Sequence, residues 1–134
     1  MGTRSTIALE YADGSVGQIY CHWDGYLDNN GMILYANYED PFKVRDLLDN
    51  GDMSSLGRTV GDSSFYKERG EVCLQHMFKS YDEYVSEHQY EEYEYILRTD
   101  GNWYVKCHSA PYMLLADAIA EMLRENAEEE TLQN

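Results

Sequence analysis

The sequence predicts a single α+β domain in which antiparallel β-hairpins form a sheet packed against a few helices. Three observations lead there. Apolar residues alternate with a period of two on either side of Gly-containing turn signals, and other stretches carry them at the helical period of 3.6. Strands occur in pairs with helices placed between and after the pairs, not in strict strand–helix–strand alternation. The chain has 134 residues, enough for one domain with its own core.

Residues Thr3 to Tyr11 and Val16 to Trp23 flank Ala12-Asp13-Gly14-Ser15 and read as a hairpin. In the second strand Ile19, Cys21 and Trp23 fall on one face, and Tyr20, His22 and Asp24 on the other. Breaks at Asp24-Gly25 and Asn29-Asn30-Gly31 precede a short stretch, Met32 to Tyr38, with helical spacing. Asp40-Pro41 is a helix start, because Asp caps the free N–H groups and Pro lacks an N–H that would go unpaired there. The helix runs from Pro41 to Asp49, with Gly51 placed for a left-handed end. Asp52 to Ser64 reads as loop, and Ser64 to Phe78 as a second hairpin turning at Arg69-Gly70. Ser80 and Glu83 form a capping box that opens a helix to His88. Glu91 to Arg98 alternates, with Tyr93, Tyr95 and Leu97 opposite Glu92, Glu94 and Ile96. Asp100-Gly101 signals a type I′ turn, and Trp103 to His108 returns. Pro111 leads a final helix carrying Leu114, Leu115, Ala118, Ile119, Met122 and Leu123. The domain is expected to span 1–124, and 125–134 to form an acidic, frayed tail.

Charge narrows the function classes. Ten Lys and Arg stand against 25 Asp and Glu, a net charge of −15. Such a surface repels nucleic acid and anionic membrane, and no basic stripe is present to neutralise phosphates. The complement is a protein with a basic surface. An acidic surface also keeps a small protein in solution with no further role. No stretch reaches the roughly 18 apolar residues of a membrane span. The N-terminal segment lacks the apolar run of a signal peptide. Gly2 with Thr6 makes a weak myristoylation-like pattern without a polybasic second anchor. Three widely spaced cysteines, Cys21, Cys73 and Cys107, do not make a secreted disulfide framework, so a cytoplasmic setting is expected.

The segments Thr3-Arg4-Ser5-Thr6, Tyr20-Cys21-His22-Trp23-Asp24-Gly25-Tyr26, Tyr93-Glu94-Tyr95 and Gly101-Asn102-Trp103-Tyr104-Val105 are distinctive together. Over residues 1 to 108 the chain resembles a family of small proteins encoded by bacteriophages and other mobile elements, which open on a TRS segment and carry an HWDGY segment. The resemblance implies a setting, the cytoplasm of a host cell and action on host machinery such as defence systems, and implies no reaction.

Four sets of residues are candidates for function. Arg4, His22, Trp23, Asp24 and Tyr26 place a cation, an imidazole, a carboxylate and two aromatic rings around one loop, a set suited to stacking a base and forking onto a phosphate. The competing reading is structural, with Trp23 in the core and Arg4 pairing Asp24 to pin the turn. The second set is the acidic, tyrosine-rich stretch with Asp82, Glu83, Glu87, Glu91, Glu92 and Glu94, which could present a row of negative charge to a basic partner, or simply be a solvated face. The third is metal: Cys21-His22, Cys73 with His76, and Cys107-His108. Adjacent strand residues point to opposite faces, so each adjacent pair offers one ligand and no zinc site is expected. The fourth is a cysteine nucleophile, which no surrounding motif supports. The chain is therefore expected to be a non-enzymatic binder with no cofactor and no catalytic residues, able to self-associate. A nucleotide-binding protein and a zinc or cysteine hydrolase are the alternatives.

Overall fold

The computed structural model describes residues 3–71, 73–88 and 90–133, with side chains to residue 129. Its eight strands are β1 (Ser5–Glu10), β2 (Val16–Cys21), β3 (Met53–Ser55), β4 (Ser64–Phe65), β5 (His76–Phe78), β6 (Tyr93–Leu97), β7 (Trp103–Cys107) and β8 (Met113–Leu114). Four α-helices accompany them: α1 (Met32–Asn37), α2 (Pro41–Asp49), α3 (Tyr81–Glu87) and α4 (Leu115–Gln133). The strands form one sheet in the order β4-β3-β2-β1-β6-β7-β8, with β5 also paired to β2. The α+β class follows.

The two strongest hairpins form antiparallel, β1 with β2 and β6 with β7. Both turns are three-residue loops. Gly14 N–H donates to the Tyr11 carbonyl, Gly101 N–H donates to the Arg98 carbonyl, and the two glycines take φ of 91° and 84°. The second loop is thus not the two-residue type I′ turn expected from Asp100-Gly101. Asp100 keeps a negative φ and only Gly101 is left-handed, the arrangement that matches strand twist in a three-residue connection. The hairpins join through β1 and β6, which run parallel with Ile7 opposite Tyr95. The sheet is therefore mixed, not wholly antiparallel.

One face of the sheet carries Ile7, Leu9, Ile19, Tyr95, Leu97, Trp103 and Val105 against α1, α2 and α4. The other carries Ala8, Val16 and Ile96 against Tyr84 of α3. Helix α2 begins as read, with Asp40 accepting from the Phe42 N–H and Pro41 at the first position. In α3 the Ser80 hydroxyl accepts from the Glu83 N–H, but Glu83 reaches past the cap to the Lys79 N–H. The second hairpin expected over Ser64 to Phe78 does not form. Strand β4 pairs with β3 and β5 pairs with β2, because the short apolar runs on each side of Gly70 find different neighbours. Val72, part of that expectation, lies outside the described residues, as does Gly2. The final helix starts at Leu115, after Met113 and Leu114 have paired with β7, and continues through the acidic segment to Gln133 instead of ending before it. Among the described residues no helix is long and apolar enough to cross a membrane.

Candidate binding site

The segment Cys21 to Gly31 is built by backbone pairing that changes partner. The β1–β2 ladder ends at Ser5 opposite Cys21. The next two N–H groups, of His22 and Trp23, donate instead to the carbonyls of Met53 and Ser54 on β3. Asp24 then takes a left-handed φ of 59°, which reverses the chain. Gly25 follows, buried, its N–H on the Thr3 carbonyl and its own carbonyl accepting from the Tyr95 hydroxyl at 2.6 Å. Asn30, fully buried, donates its side-chain amide toward Ser5 Oγ, Cys21 Sγ and the Trp23 carbonyl. A single turn of π-helix, Leu27–Gly31, leads into α1.

This geometry separates the residues of the first candidate set. Trp23 does not join the core with Ile19 and Cys21. It is 43% exposed, because the strand has ended before it and the alternation no longer applies. Its ring meets His22 edge-on at 4.7 Å, and His22 Nδ1 is hydrogen-bonded to the Tyr20 hydroxyl at 2.8 Å. Arg4 is exposed and close enough to Tyr20 to lower its phenol's pKa, although burial wins and the net direction is up. Arg4, Tyr20, His22 and Trp23 thus make one aromatic and cationic cluster, with Arg4 and Trp23 exposed and Tyr20 and His22 half-buried. Asp24 and Tyr26 pair with each other, the Tyr26 hydroxyl donating to Asp24 Oδ1 at 3.1 Å. The expected Arg4–Asp24 pair is not among the ion pairs of the described residues, and the loop is pinned by Asn30 and Tyr95 in its place.

The acidic set also divides. Asp82, Glu87 and Glu92 are exposed, and Glu83 and Glu91 half-buried. Glu94 is fully buried and cannot belong to a partner-facing surface. It points to the sheet face that α3 covers. There Glu94 Oε1 meets His88 Nε2 and accepts from the Tyr112 hydroxyl at 3.0 Å. His88 Nδ1 meets the Tyr84 carbonyl, which can only accept, so this nitrogen carries a proton. The Tyr84 and Tyr112 hydroxyls are 3.2 Å apart, and Lys106 Nζ stands 3.8 Å from Glu94 Oε2. Burial pushes both phenols far above the ordinary tyrosine range, so they act here as neutral hydrogen-bond groups. Sequence reading missed this cluster. The signal was a His and a Glu six residues apart at the end of a capped helix and the start of a strand, which says nothing until the helix is known to lie over that strand.

The described residues contain no group of three His, Cys, Asp or Glu side chains able to hold a metal ion. The cysteines are not activated. Burial raises the Cys21 thiol to about 11 and raises Cys73 and Cys107 as well, which lowers their thiolate fraction. What remains exposed and organised is the aromatic cluster around Trp23 and the carboxylate-rich surface. No family model, curated protein or solved structure matches the chain.

Proposed function

We propose that this protein is a non-enzymatic binder that engages and inhibits a host protein through its acidic surface, in the manner of a phage-encoded accessory protein. The favoured target is the basic groove of a nucleic-acid-handling or defence protein in the host cytoplasm. The observation that carries the reading is the use made of charge. Among the described residues, Glu10 and Glu94 enter ion pairs, with Arg98, Lys106 and His88, while the exposed carboxylates of Asp82, Glu87 and Glu92 reach no cation at ion-pair distance. Of the cations near α3, Arg98 is held by Glu10 and stacked on Tyr81, Lys106 is turned to Glu94 and the His108 carbonyl, and Lys79 stands exposed just before the helix. Asp82, Glu87 and Glu92 outnumber the exposed Lys79, so the net outward charge here is negative, as a groove that normally takes a phosphate backbone requires.

The test is association with the host protein captured from a bacterial lysate. Raised salt should slow the on-rate, and joint reversal of Asp82, Glu87 and Glu92 to lysine should weaken binding by about tenfold or more. Binding indifferent to both would remove the electrostatic reading.

A second reading, capture of a signalling nucleotide, is favoured by the cluster of exposed Arg4 and Trp23 with half-buried Tyr20 and His22. Calorimetric titration with nucleotides tests it: Arg4→Ala and Trp23→Ala should abolish the heat of binding, and reversal of Asp82, Glu87 and Glu92 should leave it unchanged.

A further inference from the structure

A groove of about 420 Å³ lies between the Tyr26–Asp28 segment, the ends of β6 and β7, and helix α4. Tyr26, Tyr93 and Met122 give it apolar and aromatic walls, and Asp28, Glu121 and Glu125 stand around it. No Lys or Arg lines it among the described residues. Glu121 and Glu125 are one turn apart on α4, so their like charges face the same opening and repel. The field reaches the wall groups. Tyr93 is raised by burial first, then by Cys107, Glu92 and Asp28, and Cys107 by burial and then Glu121. The exposed Tyr26 ring and the half-buried Tyr93 ring beside carboxylates suit one kind of side chain: a planar cation stacks on a ring and forks onto a carboxylate.

We propose that this groove seats an arginine side chain of the protein partner. The inference rests on the reading of the chain as an acidic binder and locates where that binder reads a particular residue. A lysine has the charge without the planar fork, and a neutral side chain leaves three carboxylates gathered around an apolar floor.

The test uses the full chain and two probes, Nα-acetyl-arginine amide and the uncharged isostere Nα-acetyl-citrulline amide, followed by amide chemical shifts. Arginine should move the signals of Leu27, Tyr93, Cys107 and Glu121 saturably, with citrulline about tenfold weaker. The double variant Glu121→Gln, Glu125→Gln, isosteric and on an exposed helix face, should lose most of the arginine response while its other signals stay in place. Shifts spread equally over Asp82, Glu87 and Glu92, equal binding of citrulline, or an unaffected double variant would each overturn the groove assignment. The outcomes separate from those of the parent reading: the groove can fail while host-protein binding stays sensitive to salt and to charge reversal at Asp82, Glu87 and Glu92, and the groove can titrate with arginine while that sensitivity is absent.

Discussion

At Gly25 the absence of a side chain is a steric requirement. A Cβ there would lie 2.7 Å from Ser5 Cβ and 2.8 Å from the Thr3 carbonyl oxygen. Both are fixed by the β1 end of the sheet, so Gly25→Ala should cost about 1–3 kcal/mol, read as a fall in the urea midpoint with an unchanged slope. Asp52 gives the opposite sign. Burial raises its carboxyl above the ordinary value, against the lowering effects of the Tyr20 N–H and His76. A carboxyl whose folded pKa is raised opposes folding at neutral pH, where it must ionise in the folded state, and ceases to do so as pH falls through that raised pKa. Asp52→Asn keeps an oxygen for the Tyr20 N–H and should be at least as stable as the parent at pH 7. Its advantage should shrink as pH drops below the raised pKa, measured by thermal melts across pH. Glu10 shifts downward although burial alone would raise it, because the Arg98 guanidinium and the Thr99 N–H and hydroxyl hold the carboxylate. Its contribution is present above the ordinary glutamate range and is lost as pH falls through the depressed value.

Helix α3 shows how an element of seven residues is kept on a sheet. Its start is capped by Ser80, and its end is tied through His88 to Glu94 and Tyr112. Ser80→Ala should cost about 1 kcal/mol. His88→Ala takes the imidazole from the buried Glu94 carboxyl, leaving it Tyr112 and Lys106, and should cost about 3 kcal/mol, with amide exchange rising in α3 first. Replacing His88 and Glu94 together with leucine and methionine should recover much of that loss. The start of this helix was legible in the sequence, as were α2, the N-terminal hairpin and the hairpin from Tyr93 to Cys107, because caps and glycine turns are local chemistry. The role of Glu94 was not legible. Alternation assigned it to the face opposite Tyr93 and Tyr95 correctly, but which of two faces meets water depends on where a helix 7–13 residues upstream comes to rest. Trp23 failed for a related reason, since a period of two predicts a face only while the strand lasts, and the strand's end is set by β3, more than 30 residues later. The parallel joint between β1 and β6 lies beyond local pattern altogether.

For the whole molecule, a charge of −15 makes the folded state a compact body of like charges. Compaction raises that repulsion and salt screens it, so the melting temperature should rise with sodium chloride over the range in which the Debye length falls from about 10 Å to about 3 Å. A flat response would mean that the carboxylates are spaced widely enough to ignore one another, and would weaken the case for a concentrated negative face. The Arg98–Glu10 pair works against the trend, but a single part-exposed pair contributes at most about 1 kcal/mol.

The parallel pairing of β1 with β6 has a consequence for how the chain comes off the ribosome. The Glu10 and Arg98 side chains that lock this joint are 88 residues apart in sequence. The first hairpin can close within its own few residues, but β1 then waits for nearly the whole domain to be synthesised before its second neighbour exists. Until that moment Ile7 and Leu9 lie along an unpaired strand edge, open to any other extended segment. Contacts this distant in the chain also slow the final search, so folding should be limited by docking of two preformed hairpins and not by either turn. The acidic composition also bears on the nascent chain: like-charged neighbours on a polysome hold one another off while that edge is waiting.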